Sequence, residues 1–348
     1  MDRTKLDEFL GHFVADMGAA GGAGLMAIGN RLGLYTSLAE GPATAEQFAE
    51  RTGYHIRYLT EWLRGQAAGG YVAYDAATDQ FSLTDEQEFC LADPTGPNLS
   101  ASALIVLGYL RGEPRLTEAF RTGAGIAWHE HDEDVFVGCD AFYRPGYVAE
   151  LVPNWIPALA GVEEKLRAGG RVADVGCGLG SSSVLIAEAF PTGVVVGSDY
   201  HTESIALARK KAADAGVADR LTFEVASAQT FTGTGYDLVT TFDALHDMGD
   251  PVAAARQVRQ ALADDGTWLL VEPNAADDVA GNLNPVGRLY YNGSTFLCVP
   301  NALSQPGGYA LGAQAGEAAI RQIATEAGFT RFRRVAESPF NLAFEIRP

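Results

Sequence analysis

Residues 171–180, RVADVGCGLG, constrain the fold more than any other stretch of the chain. Arg171 to Val175 read as a short buried strand, and Gly176, Gly178 and Gly180 then alternate ahead of a helix-forming run over 181–190. A strand, a glycine turn and a helix in that order present backbone N–H groups to a nucleotide-like ligand. Glycine is required because a Cβ would obstruct both the close approach and the positive φ angles of such a turn.

Spacing narrows the ligand. The dinucleotide pattern G-x-G-x-x-G puts its third glycine at position 181, which holds Ser181; the glycine falls one residue earlier, at Gly180. A phosphate loop closing on Gly-Lys-Ser/Thr is excluded, because the stretch has no lysine. A second strand over 194–199 ends on Asp199, where a nucleotide-binding sheet places an acid for ribose hydroxyls. As a helix cap alone, Asp199 would serve the run over 202–215.

The pattern D-x-G-x-G-x-G from Asp174 resembles the first motif of the Rossmann-like (class I) S-adenosylmethionine-dependent methyltransferases. The resemblance implies an α/β fold: a seven-stranded Rossmann-like sheet of five parallel strands and an antiparallel hairpin, with a helical, winged-helix N-terminal domain. It also implies S-adenosyl-L-methionine as cofactor, held by Asp174, Gly176, Cys177, Gly178 and Asp199. Tyr200 is expected against the adenine, with Ser227, Ala228, Phe242 and Asp243 completing the cleft; Cys177 takes part through its backbone. Family members commonly carry an acid at the Ser227 position, so this chain offers a weaker, uncharged acceptor there.

The run Leu245-His246-Asp247 follows a strand over 236–241, and ligands of open α/β sheets sit beyond the carboxyl ends of strands. O-methyltransferases place a histidine general base at the position of His246, and an imidazole titrating near neutrality suits the removal of a hydroxyl proton. Packing against the cofactor is the alternative part for His246. The segment 274–313, rich in Gly, Asn and Pro yet carrying Tyr290 and Tyr291, reads as a loop-like lid. Trp128, His129 and Tyr143 join those tyrosines as expected substrate-pocket residues. His129 and His131, two residues apart, would converge on a metal only from extended backbone, and no metal is expected.

Length and charge bear on the rest. With 348 residues, a core domain and an added module are expected, divided as 1–92, 93–164 and 165–348. Residues 44–83 read as helix, turn, helix and hairpin, resembling a winged helix. A net charge of −19 makes nucleic acid or an anionic membrane an unsuitable partner for it. The apolar spacing of Leu10, Phe13, Val14 and Met17 beside small residues 18–24 points instead to helix packing, with a homodimer expected through this domain. The four cysteines form no C-x-x-C pair, and the charged start of the chain has no secretory pattern, so a cytoplasmic protein is expected.

The combined reading is methyl transfer to a small-molecule acceptor through oxygen. One alternative is a metal-dependent C-methyltransferase of an α-keto acid, which pairs a His-Asp dipeptide with a later histidine. No histidine follows His246 in this chain. The other alternative is a regulator that binds cofactor and reads DNA through the winged helix.

Overall fold

The computed structural model describes residues 1–348. Two compact units emerge: 1–108 with 133–145, and 109–132 with 146–348. The segment 93–164 is thus shared between them rather than forming a third body.

The first unit opens with the helix Arg3–Arg31, capped by the Asp2 carboxylate, which accepts from the backbone N–H of Thr4 and Lys5. Helices Ala45–Thr52 and Ile56–Ala68 follow at the expected places. Thr44 and Gln47 form a reciprocal capping box at the start of the first, and Gly53, at φ 72°, ends it in the left-handed region. Strands β1 (Ala73–Asp75) and β2 (Gln80–Ser82) pair antiparallel as the wing. Leu34, Phe48, Trp62, Leu63 and Phe81 fill the core. The N-terminal part of the long helix leaves Phe9, Leu10, Phe13, Val14 and Met17 exposed on this chain.

The second unit is built on β3 (Arg171–Val175), β4 (Val194–Asp199), β5 (Leu221–Val225), β6 (Tyr236–Phe242), β7 (Leu262–Pro273), β8 (Arg331–Glu337) and β9 (Asn341–Arg347). Their order across the sheet is β5-β4-β3-β6-β7-β9-β8. The first five are parallel; β9 pairs antiparallel with both β7 and β8. Chain order reverses at β3, so a crevice opens beyond its carboxyl end between the crossovers to β4 and β6. The inner strands are buried along nearly their full length, as a sheet covered on both faces requires. No helix is long and apolar enough to cross a membrane.

Residues 285–304 are helical where a loop is expected from composition. Helix Pro285–Gly293 passes through a π-type turn, Ser294–Cys298, into helix Val299–Ser304. The polar residues that read as loop act as caps: the Asn284 side chain accepts from Gly287 N–H, and Pro285 occupies the first turn.

Candidate active site

The glycine turn beyond β3 folds back on the end of β4. Backbone N–H groups of Gly176 and Cys177 both donate to the Ser198 carbonyl, at 2.8 and 3.0 Å. Gly178 N–H donates to Asp199 Oδ2 at 3.0 Å. The expectation that these amides face a ligand is therefore corrected: enclosed N–H groups take the nearest acceptor, and the turn supplies shape instead. Gly176, Gly178 and Gly180 all have positive φ. A Cβ on Gly180 would strike Phe223 at 2.7 Å, and one on Gly176 would lie 2.9 Å from Ala244. At Gly178 it would meet nothing within 4 Å, so that residue faces open space.

Asp199 lies against this turn. Its other oxygen accepts from His201 N–H at 2.9 Å, and each carboxylate oxygen keeps lone-pair capacity for a further donor. Burial pushes its carboxyl above the ordinary range, against the pull of the His201 and Gly178 amides.

Asp174 behaves differently from the sequence expectation. It is fully buried, and its carboxylate accepts from Ser182 (2.7 Å), Ser183 (2.5 Å) and Thr240 (2.9 Å). Asp174 thus ties β3 to β6 and to the first turn of the helix Ser181–Ala189 instead of reaching the cradle. Burial raises its pKa while the three hydroxyls oppose the shift. Replacing it with alanine leaves those hydroxyls without their shared acceptor. A loss of about 2–4 kcal/mol of stability is expected for Asp174→Ala, read from urea unfolding. A change below about 0.5 kcal/mol would show that the network carries no weight.

Beyond β6 the chain turns through Asp243, a non-glycine at φ 49°, into the short turn Leu245–Asp247. Phe242 does not open onto the cleft: it is buried, stacked on Trp155 at 6.1 Å and tilted against Tyr147 at 5.2 Å. Asp243 accepts from the Tyr147 hydroxyl at 3.0 Å and from the Asn341 amide at 2.7 Å. Burial, with Glu272 adding to it, pushes its carboxyl up to about 8.

His246 is 2% exposed. Its Nδ1 lies 2.5 Å from Glu272 Oε2, and Glu272 Oε1 accepts from Leu245 N–H at 2.9 Å. Glu272 stands near the end of β7, adjacent in the sheet to the strand that precedes His246. This carboxylate is the site residue that sequence reasoning missed; its only signal was an acid at the end of a strand. Burial opposes charge on His246, yet the neighbouring Glu272 and Asp247 prevail and raise its pKa well above the ordinary value. Asp247 Oδ1 lies 3.2 Å from His246 Nε2. Cys298, from the π-type turn, joins them: the ligating atoms of His246, Asp247 and Cys298 all lie within 4.8 Å of one another. Burial pushes the Cys298 thiol up to about 12.

The remaining expected residues make contacts of their own. The Tyr200 hydroxyl accepts from Trp128 N–H at 3.1 Å, and Asn301 Oδ1 accepts from the same N–H at 3.1 Å. Trp128 is half-buried; His129 is exposed and His131 stands outside the His246 cluster. Ser227 shares a 2.9 Å hydrogen bond with Thr230, and Ala228 packs at the edge of the main core. Tyr290 is buried with its hydroxyl donated to the Phe340 carbonyl at 2.8 Å, whereas Tyr291 is 36% exposed. Tyr143 belongs to the first unit.

Residues 166–328 match a family model described as a methyltransferase domain, and residues 20–93 match an Rv2258c-like winged helix-turn-helix domain. The residues matched by the first model lie within the second unit. The chain aligns with trans-aconitate 2-methyltransferase of Streptomyces avermitilis at 31% identity over 149 residues, 38% of this chain and 55% of that protein. The chain thus spans about half the length of this curated relative. Among solved structures, the mitomycin 7-O-methyltransferase superposes with a TM-score of 0.71 at 21% identity, covering 99% of this chain and 98% of that one. Human N-acetylserotonin methyltransferase, solved with its cofactor, gives a TM-score of 0.71 at 14% identity, over 100% and 98% of the two chains. These likenesses establish a class I methyltransferase fold with a winged-helix N-terminal module.

Proposed function

We propose that this chain transfers the methyl group of S-adenosyl-L-methionine to an oxygen of a small-molecule acceptor, with His246 as the general base. One observation carries the reading: the His246 loop packs directly on the glycine turn, since a Cβ on Gly176 would lie 2.9 Å from Ala244, two residues before the histidine. Cofactor cradle and base are therefore neighbours. The open space at Gly178 and the acid at the end of β4 fit an adenosine moiety, whose ribose diol Asp199 can accept from. When bound, the sulfonium supplies an electrophilic methyl group.

The chain's own part is alignment and proton removal. Glu272 holds Nδ1–H, so Nε2, after giving up the proton that the raised pKa keeps on the ring, is the nitrogen that takes the acceptor's proton as attack begins. Glu272 also stabilises the imidazolium that results. Oxygen acceptors are the class favoured by the mitomycin 7-O-methyltransferase likeness. Incubation with methyl-labelled cofactor and a panel of phenols, alcohols and carbon acids tests this, with products analysed by mass spectrometry and NMR. Labelled methyl ether and S-adenosylhomocysteine in equal amounts are expected; label on carbon would sink the oxygen assignment, and no transfer to any acceptor would sink the activity.

We further infer that the first unit forms a homodimer through the exposed stripe Phe9, Leu10, Phe13, Val14 and Met17, because so continuous an apolar face is unfavourable in water. The same unit is poorly suited to DNA: Arg57 on its second helix is paired with Glu61 at 2.6 Å, and the chain carries net charge −19. Sedimentation of Phe9→Asp/Phe13→Asp should give monomer where the unaltered chain gives dimer. A monomer for both would refute the interface.

A further inference from the structure

The side chains at His246 make a second kind of site. Nδ1 is engaged by Glu272, and Nε2, a ligand once its proton leaves, faces the carboxylate of Asp247 at 3.2 Å and the sulfur of Cys298. Three electron-rich atoms from separate positions thus converge within 4.8 Å of one another. Asp247 Oδ1 is enclosed and has no hydrogen-bond partner, although it lies beside the imidazole. His246 and Cys298 are both buried. The imidazolium of His246 places one positive charge beside this carboxylate oxygen, and a cation taking the place of its Nε2 proton would meet the oxygen and the sulfur together.

We propose that His246 Nε2, Asp247 Oδ1 and Cys298 Sγ bind one thiophilic divalent cation, for which Zn²⁺ has the fitting chemistry. Nitrogen, oxygen and sulfur are the donor types zinc takes, and three protein ligands leave the fourth tetrahedral position for water or an acceptor oxygen. Two donors about 2.0–2.2 Å from zinc stand about 3.3–3.5 Å apart in a tetrahedron; the 3.2 Å between Nε2 and Oδ1 is close to that edge. The Glu272 contact on Nδ1 is the outer carboxylate that orients a ligating histidine and strengthens it as a donor. Cys298 is delivered by the widened helical turn Ser294–Cys298, a type of irregularity concentrated at functional sites. Binding displaces two protons to solvent, one from the thiol and one from His246 Nε2.

The site stands on this geometry alone. Its consequence, that an occupied site withdraws His246 from proton removal, rests on the base reading above. The cation is then a reversible inhibitor of the proposed methyl transfer.

Titration of the full chain with Co²⁺, followed by displacement with Zn²⁺, tests the site without any turnover. One equivalent of Co²⁺ with a thiolate-to-metal charge-transfer band is expected, lost in Cys298→Ser and retained in Cys90→Ser. Asp247→Asn, the second variant, should keep the band and weaken Zn²⁺ affinity by on the order of 10–100-fold in chelator competition. Absence of the band in the unaltered chain, or its persistence in folded Cys298→Ser, overturns the site. Zn²⁺ should also stop methyl transfer and a chelator restore it. If Zn²⁺ binds with the expected signature and the rate is untouched, the withdrawal of the base is overturned and the metal site stands.

Discussion

Gly178→Val is expected to weaken cofactor binding strongly while leaving the fold in place. The side chain enters the open space that the turn keeps beside Asp199, where a Cβ meets no protein atom within 4 Å. Affinity for S-adenosyl-L-methionine should fall by on the order of 100-fold or more by calorimetry, about 2.7 kcal/mol. A β-branched residue at φ 51° adds backbone strain of about 1–2 kcal/mol, seen as a modest fall in melting temperature. Gly180→Ala provides the contrast. Its Cβ would collide with Phe223 at 2.7 Å and Ala208 at 3.0 Å, inside the protein, so stability suffers first there. Unchanged affinity in folded Gly178→Val would remove the cradle from the cofactor site.

Glu272→Gln is expected to lower kcat by on the order of 10²–10⁴ with little change in KM. The glutamine oxygen still accepts from Leu245 N–H, so the loop keeps that anchor. Its amide nitrogen, however, faces Nδ1 as a donor and drives the imidazole to the tautomer protonated on Nε2. A ring carrying that proton cannot take another from an acceptor hydroxyl. His246→Ala should lose at least as much, and the double variant no more than His246→Ala alone, since the two side chains act as one unit. Additive losses in the double variant would show that Glu272 acts elsewhere.

The parts of the site legible in the sequence are those whose physics is local. Positive φ is a property of a single residue, so the spacing of Gly176, Gly178 and Gly180 announces the turn before any partner is known. Asp199 is legible because it closes a short strand one βαβ unit later. The winged helix is legible through its caps, Thr44 with Gln47 and Gly53, which depend on residues at most a few positions apart. Helices at 285–304 escaped notice because Asn284, Pro285 and Gly293 count as loop formers when tallied and as caps or terminal residues when placed.

The direction of each side chain was not legible. Asp174 belongs to the motif, yet three hydroxyls from two other segments take its carboxylate inward. The amides of Gly176 and Cys177 turn to Ser198, more than twenty positions away. Glu272 meets His246 only because β6 and β7 are neighbours in the sheet, and Cys298 arrives through a turn one residue wider than an α-helix makes. By itself, then, the sequence determined the sheet, the glycine turn and the acid at the end of β4, because dihedral preference and strand periodicity act over a few residues. Tertiary structure alone decided which carboxylate holds the histidine and which sulfur faces it, because hydrogen bonds and ligand sets form between groups that only packing brings within 3 to 5 Å.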